Sequence, residues 1–260
     1  MSKIIALASN RNQAGKTTTA LILKALDLWD YNCVRYYSRY DVLDLFHSRK
    51  QFVKDFVSDP SVFIDDYSPF EVKKFAAKLY NIVSEMTGKS VEWLYANKEA
   101  PLGEDWKSTT YYIRDVEGDE LFEGRDYDEF LDQLELLEKN HPHEIEDQEV
   151  VIEYTPRLLL NVIGTQLFRE QLHINVHVNM LFSDFYKGKK WIIDDMRFPN
   201  EWRKVVELGG KTIFVRRGKD QKGIVEGKLS GYSFDYTINN NGNLDDLINS
   251  CIYIWERIFS

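Results

Sequence analysis

Three features of the sequence predict an α/β fold, with a central, mostly parallel sheet and helices on both faces. Along the second half of the chain, segments of strand character alternate with segments of helical spacing. Such alternation builds parallel sheets joined by crossover helices. An apolar run, Ile4 to Ala8, enters a short polar loop that ends in Gly15-Lys16-Thr17, and a helical pattern follows. A second apolar run, Trp191-Ile192-Ile193, ends in the paired carboxylates Asp194 and Asp195. Open parallel sheets bind ligands outside the carboxyl ends of their strands, and both charged segments fall there.

The first strand, loop and helix have the form of a phosphate-binding unit. Phosphate oxygens need several N–H donors at once; a loop wrapped onto a helix N-terminus supplies them, and the helix dipole favours the negative charge. The expected cradle is the backbone of Gln13, Ala14, Gly15, Lys16, Thr17 and Thr18. Gly15 lets the backbone come close to the ligand. Lys16 is placed to reach the β- and γ-phosphates of ATP, and the Thr17 hydroxyl to ligate Mg²⁺. The usual pattern, G-x-x-x-x-G-K-[ST], has Asn10 in its first position here. Asn tolerates the left-handed backbone better than most residues, so the turn survives. The competing reading is a polar strand-to-helix turn without a ligand, and the flanking strand and helix argue against it.

In order, Ala20 to Trp29 reads as the first helix and Asn32 to Tyr37 as a second strand. Residues 40–57 read as helical pieces, broken at Asp59-Pro60-Ser61. Val72 to Ala76 has the character of a short strand. Ala77 to Met86 has helical spacing and stops at Thr87-Gly88, and Ser90 opens a short helix through Tyr95. Residues 99–150 differ in character. Tyr111 to Asp115 and Glu120 to Phe122 flank Gly118-Asp119 as a hairpin, Asp126 to Lys139 is an acidic amphipathic helix, and Asn140 to Gln148 is polar. This stretch reads as an insertion within one domain spanning 1–260, either bordering an active site or decorating the surface. Thr155 and Pro156 open a helix that carries Leu158, Leu159, Val162 and Ile163. Further helices are expected over 174–186, Pro199 to Leu208 and Leu244 to Phe259. Further strands are expected at Trp191 to Asp195, Lys211 to Arg216 and Tyr236 to Ile238. The segment 217–233 holds several glycines and reads as a mobile lid.

Composition narrows the partners. The net charge of −9 over 260 residues argues against binding nucleic acid across the whole surface. Hydrophobic content of 43% with 29% charged residues is that of a soluble globular chain. Cys33 and Cys251 lack metal-ligand spacing, which points to a reduced, cytoplasmic protein. No signal peptide is evident, and no run of about 18 apolar residues is present to span a membrane.

The remaining charged residues follow from their positions. An apolar strand that ends in Asp beside a phosphate loop holds hydrated Mg²⁺, which makes Asp195 the expected metal partner of Thr17. A helix N-cap is the competing role for Asp195. Successive strand side chains point to opposite faces, so only one of Asp194 and Asp195 is expected to meet the loop. Arg157, Arg197, Arg216 and Arg217 are candidates for a phosphate clamp, because a guanidinium binds phosphate through two parallel bonds. A surface ion pair is the competing role for each.

Several segments resemble the tailed-phage deoxynucleoside monophosphate kinases. They are Lys74-Phe75-Ala76 with the helix after it, Thr87-Gly88 through Lys98, and Leu102-Gly103-Glu104-Asp105-Trp106. Arg157 through Gly164-Thr165, Trp191 through Asp195-Met196-Arg197-Phe198-Pro199-Asn200-Glu201, and Asp235 through Leu244 complete the set. They occur in the family's order and cover most of the chain except 107–150. The Asp-x-Arg-x-x-x-Glu block and the Arg…Gly-Thr helix are the specific parts. The resemblance implies a three-layer P-loop kinase fold and transfer of phosphate from ATP to a dNMP. It places Arg157, Asp195 and Arg197 near the monophosphate and selects Asp195 over Asp194. Departures are Asn10 for Gly, Thr17 for a frequent Asp, Gln166 for an acidic residue, His177 for Trp, and Val225-Glu226 for Ser-Glu. Gln166 and His177 are expected to line the base pocket. A packed helix histidine is the competing role for His177.

The expected mechanism is in-line transfer, with Lys16, Asp195, Arg197 and Arg217 as catalytic groups. Asn239 or Asn241 is expected near the adenine. ATP and a dNMP are the expected partners, with no membrane and no nucleic acid, and a homodimer stays open. Two rival functions are a P-loop kinase acting on a modified base within DNA and a nucleotide-binding regulator without catalysis.

Overall fold

The computed structural model describes residues 3–11, 13–36, 48–62, 70–115, 120–140, 145–186, 188–218, 228–229 and 231–260. The chain divides into two compact units, one formed by Met1–Lys78 with Phe168–Ser260 and the other by Leu79–Leu167. The second unit contains the expected 99–150 insertion together with helices on either side of it in sequence.

The first unit is α/β, built on a five-stranded sheet. Its strands are β1 (Lys3–Ser9), β2 (Phe70–Lys73), β6 (Lys190–Ile193), β7 (Lys211–Arg216) and β8 (Tyr236–Asn239), in spatial order β2-β6-β1-β7-β8. Every pairing in it is parallel. Parallel strands are covered on both faces, so they read as continuous apolar runs. In β1, Ile5 and Leu7 point into one layer, while Ile4, Ala6 and Ala8 point into the other. The first layer is formed by α1 (Lys16–Tyr36), α2 (Arg49–Ser58) and α9 (Leu244–Phe259), through Ile22, Leu23, Phe52, Phe56, Ile254 and Trp255 among others. The second is formed by α7 (Val176–Phe182) and α8 (Pro199–Glu207), through Val178, Leu181 and Val205. Each fully buried side chain of this kind contributes roughly 1.5–3 kcal/mol.

The second unit contains a separate three-stranded antiparallel sheet, in the order β4 (Glu120–Gly124), β3 (Lys107–Asp115), β5 (Ile145–Glu153). Helix α5 (Tyr127–Asn140) covers it by placing Phe130 against Tyr111, with ring centroids 4.9 Å apart. In α4 (Val91–Ala96), Ser90 caps the N-terminus by accepting the Trp93 N–H at 3.1 Å, and Tyr95 stacks on Tyr80 of α3 (Ala77–Thr87). Helix α6 (Pro156–Asn161) starts at the expected cap, where the Thr155 hydroxyl accepts the Leu158 N–H. It runs into a wide π-helical stretch, Val162–Leu172.

Several expectations are corrected. Asn32 to Tyr36 is the end of α1 and not a strand; Tyr37 lies outside the described residues. The strand preference of Cys33-Val34 is a small local term, and each added helical residue keeps a backbone hydrogen bond. The strand expected at Val72 to Ala76 sits earlier, at Phe70–Lys73. The polar stretch Asn140 to Gln148 enters a strand at Ile145, residues 141–144 lying outside the described residues: β5 pairs with β3 from Ile145↔Asp115 to Glu153↔Lys107. Its charged side chains hid the pattern, because strand preference depends on partners across the ladder. The helix expected over 174–186 is only Val176–Phe182. The hairpin of β3 and β4 is present, its turn at 116–119 lying outside the described residues. Among the described residues, no helix is long and apolar enough to cross a membrane.

Candidate active site

The carboxyl edge of the parallel sheet brings together the β1–α1 loop, the end of β6 and the ends of β7 and β8. β1 lies between β6 and β7, so its loop has a charged strand end on each side. Residue Gly15 has φ +101°, and a Cβ there would sit 2.4 Å from Asn240 Nδ2. Only glycine meets both conditions. Gln13 also has a left-handed φ, of 59°, which is uncommon without a glycine. The Gly15 carbonyl accepts the Thr19 N–H at 2.8 Å, which starts α1. N–H groups in a helix's first turn lack intrahelical partners, and here they belong to Lys16, Thr17 and Thr18.

Four side-chain contacts shape the loop. Lys16 Nζ donates to Ser9 Oγ at 2.6 Å, and that hydroxyl donates to the Arg11 carbonyl at 2.9 Å. Asn10 Oδ1 accepts the Arg217 N–H at 3.0 Å. Asn240 Nδ2 donates to the Ala14 carbonyl at 2.8 Å in a buried contact. The Asn run after β8 therefore ties down two segments: Asn240 holds Ala14 of the loop, and Asn241 accepts the N–H of Gly218, just after β7, at 2.7 Å. Asn239, expected near the adenine, ends β8 in an exposed position.

The two aspartates after β6 are placed opposite to the sequence expectation. Thr17 Oγ1 donates to Asp194 Oδ2 at 3.2 Å, and Lys74 Nζ lies 3.7 Å from the same oxygen. Asp194 is buried, with 2% of its side chain exposed. Its other oxygen, Oδ1, is buried without a hydrogen-bond partner. The Asp195 carboxylate instead accepts the N–H groups of Phe75 at 2.8 Å and Ala76 at 3.1 Å. It clamps the turn between β2 and α3. Burial and the adjacent Asp194 push its carboxyl up, against those two N–H groups and Arg197. The expectation of Asp195 on the loop and Asp194 on the opposite face is thus reversed. Alternation still separates the two side chains, and the register that turns Asp194 toward Thr17 comes from the pairing of β6 with β1, Ile193 opposite Ala6.

These residues suit a divalent cation. A buried carboxylate oxygen without a partner costs free energy unless a cation or water takes it. A hydroxyl and a carboxylate together are hard oxygen ligands of the kind Mg²⁺ uses alongside phosphate oxygens. Among the described residues, no group of three or more His, Cys, Asp or Glu side chains forms a protein-only metal cage.

A second charged cluster follows Asp195. Glu201 Oε2 accepts the N–H groups of Arg197 and Phe198, at 2.8 and 3.1 Å, and closes the N-terminus of α8. Arg169 Nη2 donates to Glu201 Oε1 at 2.5 Å, while its guanidinium lies 3.6 Å from the Phe198 ring centroid. Glu201 is buried, and only 9% of the Arg169 side chain is exposed. Burial pushes the Glu201 carboxyl up to about 7, against the pull of Arg169. In the sequence Glu201 belongs to the Asp-x-Arg-x-x-x-Glu block, whereas nothing marks Arg169. No local signal singles out an arginine within a helix as the partner of a glutamate 32 residues on.

The other expected site residues are dispersed. His177 is buried in α7, its ring 6.0 Å from that of Phe168. Arg216 is exposed at the end of β7, its guanidinium 5.9 Å from the Phe214 ring centroid. Arg217 follows it, also exposed. Most of the expected lid, residues 219–227 and 230, lies outside the described residues, Val225 and Glu226 included. Arg157 and Gln166 belong to the second unit, where Arg157 pairs with Glu99 and Gln166 is exposed. No protein-family model matches the chain, and no curated protein sequence matches it.

Proposed function

We propose that the first unit is a three-layer P-loop kinase domain that transfers phosphate from ATP to a deoxynucleoside monophosphate. The observation that carries this reading is the meeting of Thr17 and Asp194. A hydroxyl from the first turn of α1 and a buried carboxylate from the end of the neighbouring strand converge beside Lys16. That is the donor set a nucleotide–Mg²⁺ complex requires. The resemblance in the segments around Asp195 and Arg197 selects the acceptor class.

The first-turn N–H groups and Lys16 bind the ATP phosphates. Thr17 and Asp194 would hold Mg²⁺, which when bound neutralises charge on those phosphates. An oxygen of the acceptor monophosphate attacks the γ-phosphorus in line. The bond from that phosphorus to the β–γ bridging oxygen breaks, and ADP leaves. Lys16 leaves Ser9 and follows the charge that develops on the transferring group. Arg197 holds the acceptor phosphate against its repulsion from ATP. Arg157 keeps only the assignment that the resemblance implies. Asp195 serves as the clamp of the β2–α3 turn and not as a metal ligand.

A coupled ADP-release screen across the four dNMPs, the ribonucleoside monophosphates and modified dNMPs tests the reading. ADP release that needs an added dNMP is the expected result. Release that is independent of any monophosphate, or that needs duplex DNA, overturns the acceptor assignment. Absence of ATP binding overturns the whole.

A further inference from the structure

We propose that Asn10, which stands where the usual phosphate-loop pattern has glycine, is a positioning residue that holds Arg217 beside the loop for phosphoryl transfer. This rests on the kinase reading above. The parallel ladder between β1 and β7 ends at Ser9↔Val215. Beyond that pair the Asn10 side chain takes over from the backbone. Its Oδ1 accepts the Arg217 N–H at 3.0 Å, and its Nδ2 donates to the Arg217 carbonyl at the longer distance of 3.4 Å. A carboxamide offers an acceptor and a donor side by side, as a peptide strand edge does. The buried Asn10 therefore extends the pairing of β1 with the chain after β7. Glycine has no side chain and cannot do so.

The neighbours of Arg217 are held from the β8 side. The Arg216 carbonyl accepts the Asn240 N–H at 2.7 Å, and the Gly218 N–H donates to Asn241 Oδ1 at 2.7 Å. The main chain of residues 216–218 is thus fixed between the phosphate loop and the end of β8. The Arg217 side chain is exposed, and among the described residues its guanidinium has no carboxylate partner. A cation with an anchored base stands at the edge where the first-turn N–H groups of α1 gather phosphates. Charge that develops on a transferring phosphoryl group is met most effectively by such a preplaced cation. Loss of the anchor would keep the charge and change only its position, and a misplacement of about 1 Å can cost about 10²-fold in rate.

A double-substitution cycle on the full chain tests the inference, with kcat for dNMP-dependent ADP release and calorimetry of ADP binding. Asn10→Gly restores the usual residue and removes both bonds to Arg217. It should lower kcat about tenfold and leave ADP affinity within about twofold, because the phosphate-binding N–H groups stay. Arg217→Gln should lower kcat at least about 10²-fold. The two changes together should be no worse than Arg217→Gln alone, since Asn10 acts through that side chain. A merely loop-building Asn10 would instead lower ADP affinity or make the two losses multiply. Either result, or full kcat in Asn10→Gly, overturns the inference and leaves the kinase reading intact. If Asn10→Gly does not fold, Asn241→Ala releases Gly218 without touching the loop. It should lower kcat about threefold and show the same lack of additivity with Arg217→Gln; multiplying losses there overturn the inference as well. Wild-type protein that releases no ADP with any dNMP overturns both readings.

Discussion

The two units solve the problem of sheet burial in opposite ways. In the first, all strand pairings are parallel and both faces carry helices, so β1 and β6 are buried almost throughout. In those two strands the polar residues lie at the ends, and Ser9, Asp194 and Asp195 stand at or just after the carboxyl ends. In the second, β3 pairs with antiparallel neighbours on both sides and α5 covers the sheet through few residues, with Phe130 buried but Tyr127, Leu131 and Leu136 exposed. Its polar groups are spread along the strands. Full burial therefore concentrates chemistry at one edge, whereas partial burial disperses charge over a surface.

The comparison can be broken most easily at Phe130, which contacts Tyr111, Phe122 and Tyr127. Phe130→Ala should cost the second unit about 3–5 kcal/mol. Amide exchange should show lost protection in β3 to β5 with the β1, β6 and β7 amides still protected. Equal loss in both units would mean that they do not differ energetically.

Next in size is the loop of the first unit. Lys16→Ala should lower kcat by at least about two orders of magnitude, the range seen for lost electrostatic stabilisers. The melting temperature should barely change, since Lys16 is only half-buried and its ammonium donates to the hydroxyl of Ser9 at the edge of the sheet. Near-normal turnover would remove the phosphate-loop assignment.

The paired aspartates sharpen the contrast within the first unit. Asp194→Asn should reduce turnover by about 10²-fold and raise the Mg²⁺ concentration needed for half-maximal activity, with a small effect on folding. Asp195→Asn loses one of two backbone contacts and should cost about 1 kcal/mol of stability, with turnover reduced less than about tenfold. Steady-state kinetics and denaturant melts on the same preparations decide between them. An inactive Asp195→Asn with an active Asp194→Asn would restore the assignment drawn from sequence.

The smallest expected effect is a pH slope. The folded Glu201 carboxyl lies at about 7, above its ordinary 4.5. Between those values the native state binds the proton more tightly than the unfolded chain, so this group makes stability rise as pH falls from about 7 towards 4.5. Glu201→Gln should flatten that part of the stability curve, measured by urea melts at fixed salt. An unchanged slope would show that Arg169 keeps Glu201 ionised throughout.

Much of the first unit was legible because fully buried strands leave a local signature. Trp191 to Ile193, Lys211 to Arg216 and Leu244 to Phe259 can be read from apolar runs, stop signals and caps. Gly15-Lys16-Thr17 could be placed on a strand–loop–helix corner for the same reason. Strand β5 could not, because its pairing depends on partners 30 to 46 residues away in sequence. The parting of Asp194 from Asp195 was also visible, since strand side chains alternate. Which of them turns toward Thr17 was not, because alternation determines only that the two differ. The choice belongs to the tertiary structure: parallel pairing sets β6 against β1 in a register that brings Asp194 to the loop, and the turn after β2 presents two N–H groups to Asp195.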